Sequence, residues 1–239
     1  MTHESCLIAQ FNQIIELTET EKDLLSSLED DVKEFPADTI LVAQGEDAGS
    51  FFSLRSGWAS ASHDLEDGSR QVIDIFLGGQ IMGLREVGLT QAHATVETMT
   101  DVVACPFPRN RLAEVFAESR RLAVLFFLLL ARDHAMLTER LANIGSKSAT
   151  ARFAHFILET RARLNIEDDE FEMPFKQTLI GDALGMTSVH VSRVLGKLTR
   201  DGLIERKSSR LIIKDMEGLT ELGGFNPAYL DVRVDLLLK

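Results

Sequence analysis

The sequence predicts an α+β fold in three parts: an antiparallel β-roll, a long helix, and a small helical unit closed by a strand pair. Three observations carry this reading. Short apolar and β-branched runs between residues 34 and 108 are punctuated by glycines 45, 49, 57, 68, 78, 79 and 83. No Gly or Pro then occurs from Arg111 until Gly145. Finally, FKQTLIGDALGMTSVHVSRVLGKLTRDGLI sets two apolar-faced helical stretches around Gly185.

Taken in order, residues 16–30 (ELTETEKDLLSSLED) read as a short helix, with Thr18 and Glu21 at capping-box spacing. Strands follow in FPADTILVAQ and SFFSLRSGWASASH, and again in RQVIDIFL, where Val72, Asp74 and Phe76 alternate with Gln71, Ile73 and Ile75. Many short strands with glycine at the turns predict a barrel or roll, here placed at 1–118 together with its N-terminal helix. The long helix is expected to run from Arg111 to Gly145, with 119–146 as its dimerisation segment. Phe127, Leu130, His134, Leu137, Leu141 and Ile144 recur at steps of three and four, the a/d spacing of a coiled-coil seam. A core helix is the competing reading. The seam continues past the apolar block into LTERLANIG, which favours a homodimer, and His134 on it could set register or respond to pH. Residues 147–214 form the helical unit, with an acidic loop at Glu167–Glu172. The tail, 215–239, shows no pattern beyond a short helix at MEGLTEL.

Composition excludes several classes. With 45% apolar and 26% charged residues over 239, the chain is of ordinary globular make-up. Its longest apolar run, Leu122–Ala131, is too short to span a bilayer, so no membrane partner is expected. MTHESCLIAQ lacks a basic n-region and a cleavage site, so no secretory signal is expected and the location is cytoplasmic. Cys6 and Cys105 offer neither a CxxC site nor a zinc finger. No histidine pair has HxxxH or HxH spacing, so no metal site is assigned. No phosphate-cradling loop, nucleophile elbow or carboxylate pair argues for an enzyme. The charge is uneven. Lys176–Lys214 holds eight Lys/Arg against three acids, a net +5, which leaves −17 of the total −12 for the remainder. A basic segment on an acidic body suits a partner that is itself polyanionic.

The helix pair supplies the reader. Leu179, Ile180, Ala183 and Leu184 face inward on the first helix, and Val191, Val194, Leu195 and Leu198 on the second. Gly185 suits the turn, and Thr187 can cap the second helix. That leaves Ser188, Ser192, Arg193 and Lys197 outward, with Val189 and His190 in the first turn. Arginine can pair bidentately with guanine, serine can donate or accept, and valine can touch a thymine methyl in the major groove of double-stranded DNA. Lys176 and Gln177 at the first helix would hold phosphates, and Arg206, Lys207 and Arg210 would form a basic wing. A ligand-binding module without DNA function is the alternative from another class; it would not need this basic outer face.

This order of parts resembles the CRP/FNR family of bacterial transcription regulators over about residues 10–214. GDALGMTSVHVSRVLGKLTRDGLI is the most characteristic stretch, and glycines 45, 57, 68, 79 and 83 fall where the family keeps its turns. GGFNPAYL is similar to an ending in alpha-proteobacterial members, within an FNR/FixK-like branch that here lacks the cluster cysteines. The resemblance implies a cyclic-nucleotide-binding-like roll and a winged helix-turn-helix. It also implies a homodimer on a palindrome, contact with RNA polymerase, and a change at the roll passed along the dimer helix. It places the main base-reading arginine at Arg193, a further reader at Ser192, and Val189 where many members use a glutamate for a C·G pair. The usual half-site is therefore not assumed.

Where cyclic-nucleotide-binding members hold ribose and phosphate, this chain has Gly83-Leu84-Arg85 and Ala92-His93-Ala94. Leu84, Arg85, His93 and Thr138 are the candidate effector residues, with Arg85 read as a surface arginine and cyclic AMP not expected in the usual mode. A four-cysteine iron–sulfur site cannot be built from two cysteines. No cofactor is assigned. A redox role at Cys105, or haem held by His93 or His134, makes a gas- or redox-sensing regulator the alternative within the same fold.

Overall fold

The computed structural model describes residues 5–237. The chain divides into two compact units, one holding most of the residues up to His134 and the segment from Val232, the other holding Ala135–Asp231 with Arg70–Val72.

In the first unit, α1 (Cys6–Asn12) starts at Ser5, whose hydroxyl accepts the Ile8 N–H. Helix α2 (Glu19–Ser27) has the expected capping box: Thr18 Oγ1 accepts the Glu21 N–H, and the Glu21 carboxylate accepts the Thr18 N–H. Eight strands follow: β1 (Lys33–Phe35), β2 (Ile40–Val42), β3 (Ser50–Ser56), β4 (Ala59–Asp64), β5 (Arg70–Phe76), β6 (Ile81–Met82), β7 (Thr95–Thr98) and β8 (Val102–Pro108). They form two four-stranded sheets, in orders β1-β8-β3-β6 and β2-β7-β4-β5. Leu54, Ala59, Met82, Val96 and Ala104 are buried together between them. Glycines 45, 57, 68, 79 and 83 all have φ between 82° and 90°. At Gly57 the requirement is double, because a Cβ there would also run into the Asp101 carbonyl oxygen.

The long helix is two helices. Helix α3 (Arg109–Glu118) ends at Ser119, which is extended (φ −134°, ψ 103°), and α4 (Arg120–Ser146) begins beyond it. Ser119 Oγ accepts the Leu122 N–H at 3.1 Å, so a serine cap restarts the chain where continuous helix was expected. Leu122, Leu125, Phe126 and Leu129 of α4 bury one face against Leu7, Phe11, Leu25 and Phe51.

In the second unit, Ser148 caps α5 (Ala149–Arg163), and β9 (Glu170–Glu172) precedes α6 (Gln177–Leu184), α7 (Ser188–Arg200), β10 (Ile204–Lys207), β11 (Arg210–Ile213) and α8 (Met216–Gly223). The expected acidic loop at Glu167–Glu172 contains a strand. Leu211 of β11 pairs with Phe171 and Arg210 with Glu172, making an antiparallel sheet of order β10-β11-β9. Phe171 is buried between two exposed glutamates, a period-two pattern hidden in the acidic run. The segment beyond β11 is structured too: α8 packs on α5, and a 3-10 turn follows at Pro227–Leu230.

Candidate nucleic-acid interface

Helices α6 and α7 are joined by a left-handed Gly185 (φ 63°, ψ 47°). The turn is tight, since a Cβ on Gly181 would collide with the Met186 carbonyl oxygen. Arg152 of α5 donates to the Leu184 carbonyl at 2.8 Å, satisfying an acceptor at the end of α6. Thr187 caps α7 by accepting the His190 N–H. Val191, Val194, Leu195 and Leu198 are buried as expected. Val189, His190, Ser192, Arg193 and Lys197 are exposed and Ser188 is half-buried, so the outward face exists as the sequence required.

The cations on this unit differ in their partners. Arg193 takes part in no ion pair among the described residues. Lys197 meets Asp201 at 2.6 Å, Lys207 meets Glu205 at 3.1 Å, and Arg210 meets Glu170 at 2.9 Å. All three pairs are solvent-exposed, where such a pair contributes little to stability. Hydrogen bonds from Lys214 and Lys207 hold the Glu205 carboxyl below the usual carboxylate range. Arg206 bends back, donating to the carbonyls of Ser208 and Phe175. Lys176 and Gln177, at the N-terminal end of α6, are exposed.

Behind the reading face lies a buried polar chain that sequence reasoning missed. Glu159 of α5 meets Arg140 of α4 at 3.2 Å, Arg163 at 3.8 Å, and the Tyr229 hydroxyl, which donates to it at 2.7 Å. Burial pushes Glu159 up, but Arg140 and Arg163 outweigh it and hold the carboxyl below its usual range. His155 Nε2 lies 3.1 Å from Tyr229 Oη, and its Nδ1 lies 3.2 Å from Lys147 Nζ. An ammonium can only donate, so Nδ1 accepts, the proton sits on Nε2, and the order Lys147 to His155 to Tyr229 to Glu159 is fixed. Burial, reinforced by Lys147, lowers the His155 pKa, while burial and Glu159 raise that of Tyr229. Lys147 also donates to the Gly223 carbonyl at 2.7 Å. The signal available was GGFNPAYL, whose tyrosine and glycines had no assigned role.

On α4, Phe127 (62%) and Leu141 (72%) are exposed, with His134 and Leu137 exposed between them. Leu130 and Ile144 depart from the expected seam: Leu130 packs partly on the core of the first unit, and the Ile144 side chain lies against Gly185.

The four candidate effector residues do not form one pocket. Leu84 is buried in the apolar core, whereas Thr138 is exposed on α4. Arg85 is no surface arginine: its Nη2 lies 2.6 Å from Asp74, itself almost wholly buried, and its Nε lies 3.7 Å from Asp133 of α4. The His93 ring packs against that of His63, the two tilted by 34° with centroids 4.7 Å apart. The cavity inside the roll, lined by Val42, Phe52, Met82, Glu86 and Val96 among others, measures about 10 Å³, room for one water. Side chains and space together do not fit a cyclic nucleotide. Cys105 is fully buried, and burial with nearby Glu29 pushes its thiol up to about 11, which opposes the redox reading. Cys6 and Cys105 do not fit a four-thiolate cluster either, and no group of three or more His, Cys, Asp or Glu is gathered for a metal among the described residues.

Residues 151–222 match the family model of the Crp-like helix-turn-helix domain, and residues 32–119 that of the cyclic nucleotide-binding domain. Together the two span two thirds of the chain, in the order of the roll and the reader. The chain belongs to the CRP/FNR family. Family members are DNA-binding transcription regulators, which are not enzymes, and homodimers on palindromic sites are typical of them. Among relatives, the chain is 24% identical over 226 residues to the anaerobic regulatory protein of Haemophilus influenzae, covering 93% of this chain and 88% of that one. It is 23% identical to the fumarate and nitrate reduction regulatory protein of Escherichia coli, covering 92% and 90%. The structure of FixK2 from Bradyrhizobium japonicum shares the CRP/FNR fold with a TM-score of 0.76 at 22% identity, over 82% of this chain and 98% of that one. No helix among the described residues is long and apolar enough to cross a membrane.

Proposed function

We propose that this CRP/FNR regulator reads a palindromic operator as a cytoplasmic, non-enzymatic homodimer, with one α7 in each of two successive major grooves. The observation that carries the reading is Arg193, exposed on the outward face of α7 and without an ion pair among the described residues. Val189, His190, Ser192 and Arg193 would meet base edges. Ser188, Lys197, Lys176, Gln177, Arg206, Lys207 and Arg210 would meet phosphate, with the Thr187 hydroxyl holding the helix start. Phe127, His134, Leu137 and Leu141 would form the dimer seam, with Leu130 and Ile144 at its margins. The roll and its N-terminal helices (1–118), the seam helix (119–146), the reader (147–214) and the C-terminal segment (215–239) would be the working parts. Contact with RNA polymerase would turn occupancy into activation or block.

Control by the amount of protein, or by a signal other than a cyclic nucleotide, is supported by the commitment of Arg85 to Asp74 and Asp133. Selection from random duplex DNA, with reduced, metal-free protein and no added ligand, tests the reading. The expected result is a palindrome with half-sites about one helical turn apart. Val189→Glu is expected to shift the selected half-site, and Arg193→Ala to lose about 1–3 kcal/mol of discrimination at one base pair. Folded, dimeric protein that selects nothing would overturn ligand-free reading.

A further inference from the structure

His63 near the end of β4 and His93 just ahead of β7 extend the β4–β7 ladder beyond its last pair, Ser62 with Thr95. His63 Nδ1 lies 2.9 Å from the His93 carbonyl oxygen. A carbonyl oxygen only accepts, so Nδ1 carries the proton and the lone pair of the neutral ring is left on Nε2. A backbone anchor on one ring nitrogen is the device that orients an imidazole whose other nitrogen binds a metal. Apart from that Nδ1, no ring nitrogen of the two has a hydrogen-bond partner among the described residues. His93 is exposed and His63 half-buried, so the pair is open to solvent.

The spacing suits a shared ion. An ion about 2.0–2.1 Å from an imidazole nitrogen stands about 3.2 Å from that ring's centroid, so two rings at about 90–110° around it have centroids about 4.5–5.2 Å apart. The 4.7 Å between the His63 and His93 rings falls inside that range, and ring rotation completes the bite. The next turn brings Asp64, Glu66 and Asp67, with no Lys or Arg before Arg70. That charge setting favours a cation and opposes an anion.

We propose that His63 and His93 form a two-imidazole site for Zn2+, held by Nε2 of His63 and one ring nitrogen of His93, with water in the remaining positions. Imidazole suits zinc, whereas Mg2+ and Ca2+ take oxygen ligands. Two protein ligands leave the ion exchangeable, unlike the closed four-ligand sites that hold a fold together. An ion bound here ties the end of β4 to the segment entering β7 and stabilises the folded roll by mass action. The site uses neither the outward face of α7 nor the seam on α4, so it stands independently of DNA reading.

Calorimetric titration of the full-length, reduced, metal-free protein with ZnCl2, and with MgCl2 in a second arm, tests it. The parent is expected to take up Zn2+ at this site and to ignore Mg2+. His63→Ala and His93→Ala should each weaken that uptake by about tenfold or more, and the double variant should fall no further than the weaker single one. Zinc uptake unchanged in both variants, no uptake by the parent, or equal uptake of Mg2+ would each overturn the site. Should a variant not fold, the ring nitrogen resonances of the parent decide. Zn2+ should move Nε2 of His63 and leave its Nδ1 protonated, and shifts confined to other histidines would overturn the assignment.

Discussion

His155 is a buried side chain that makes the stability of the reader unit depend on pH. Its folded pKa lies below the ordinary 6.5, because burial and the Lys147 ammonium both disfavour the imidazolium. As pH falls through 6.5, the unfolded chain takes up this proton and the folded one resists, so stability declines from about that pH down to the folded value. Urea unfolding should therefore show the reader unit less stable at pH 5.5 than at 7.5, and His155→Gln should flatten that difference. A window held above pH 5 leaves out Glu159, whose own contribution is lost only below its ordinary 4.5. Gly181 is the second residue whose identity is set by contact. Its missing Cβ leaves room for the Met186 carbonyl, so Gly181→Ala is expected to cost about 1–3 kcal/mol in thermal or urea unfolding of the same unit. Neither effect was legible in the sequence. The histidine's partners are Lys147, in the link after α4, and Tyr229 of the C-terminal segment, and a glycine inside a helical run carries no mark of what approaches it.

Elements whose signal is local were legible. Capping at Thr18 and Thr187, the left-handed glycine between α6 and α7, and the inward faces of both helices follow from neighbours within a few residues, and the structure has them. Elements decided by distant pairing were not. Strand β9 depends on β11, some forty residues on, and its acids masked one buried phenylalanine. The break at Ser119 had a local signal, a serine ahead of two arginines, but the apolar stripe on either side outweighed it. The stripe itself has two users, the core of the first unit and the exposed seam. Phe127→Glu with Leu141→Glu changes only exposed positions, so sedimentation should report monomers while the unfolding transition stays within about 0.5 kcal/mol of a comparable monomer.

For the whole molecule, the balance of +5 on residues 176–214 against −17 elsewhere confines polyanion binding to one region. Binding to duplex DNA should weaken steeply with salt. Arg206→Gln with Lys207→Gln should lower the slope of log K against log salt by about 0.9 for every phosphate no longer neutralised, with little change in the preferred sequence. Arg206 is the weaker contributor of the two, since its guanidinium already donates to two backbone carbonyls. The pairing of α5 with α8 and Tyr229 has a further consequence, for the order of assembly. Helix α5 must wait for more than fifty intervening residues before α8 covers it and Glu159 gains the tyrosine hydroxyl. During synthesis the two reading helices are thus made before the surface that steadies α5 behind them exists. A nascent chain that already displays Arg193 still lacks α8 and the Tyr229 hydroxyl behind α5, so the full support of the reader is expected only once the C-terminal segment is made.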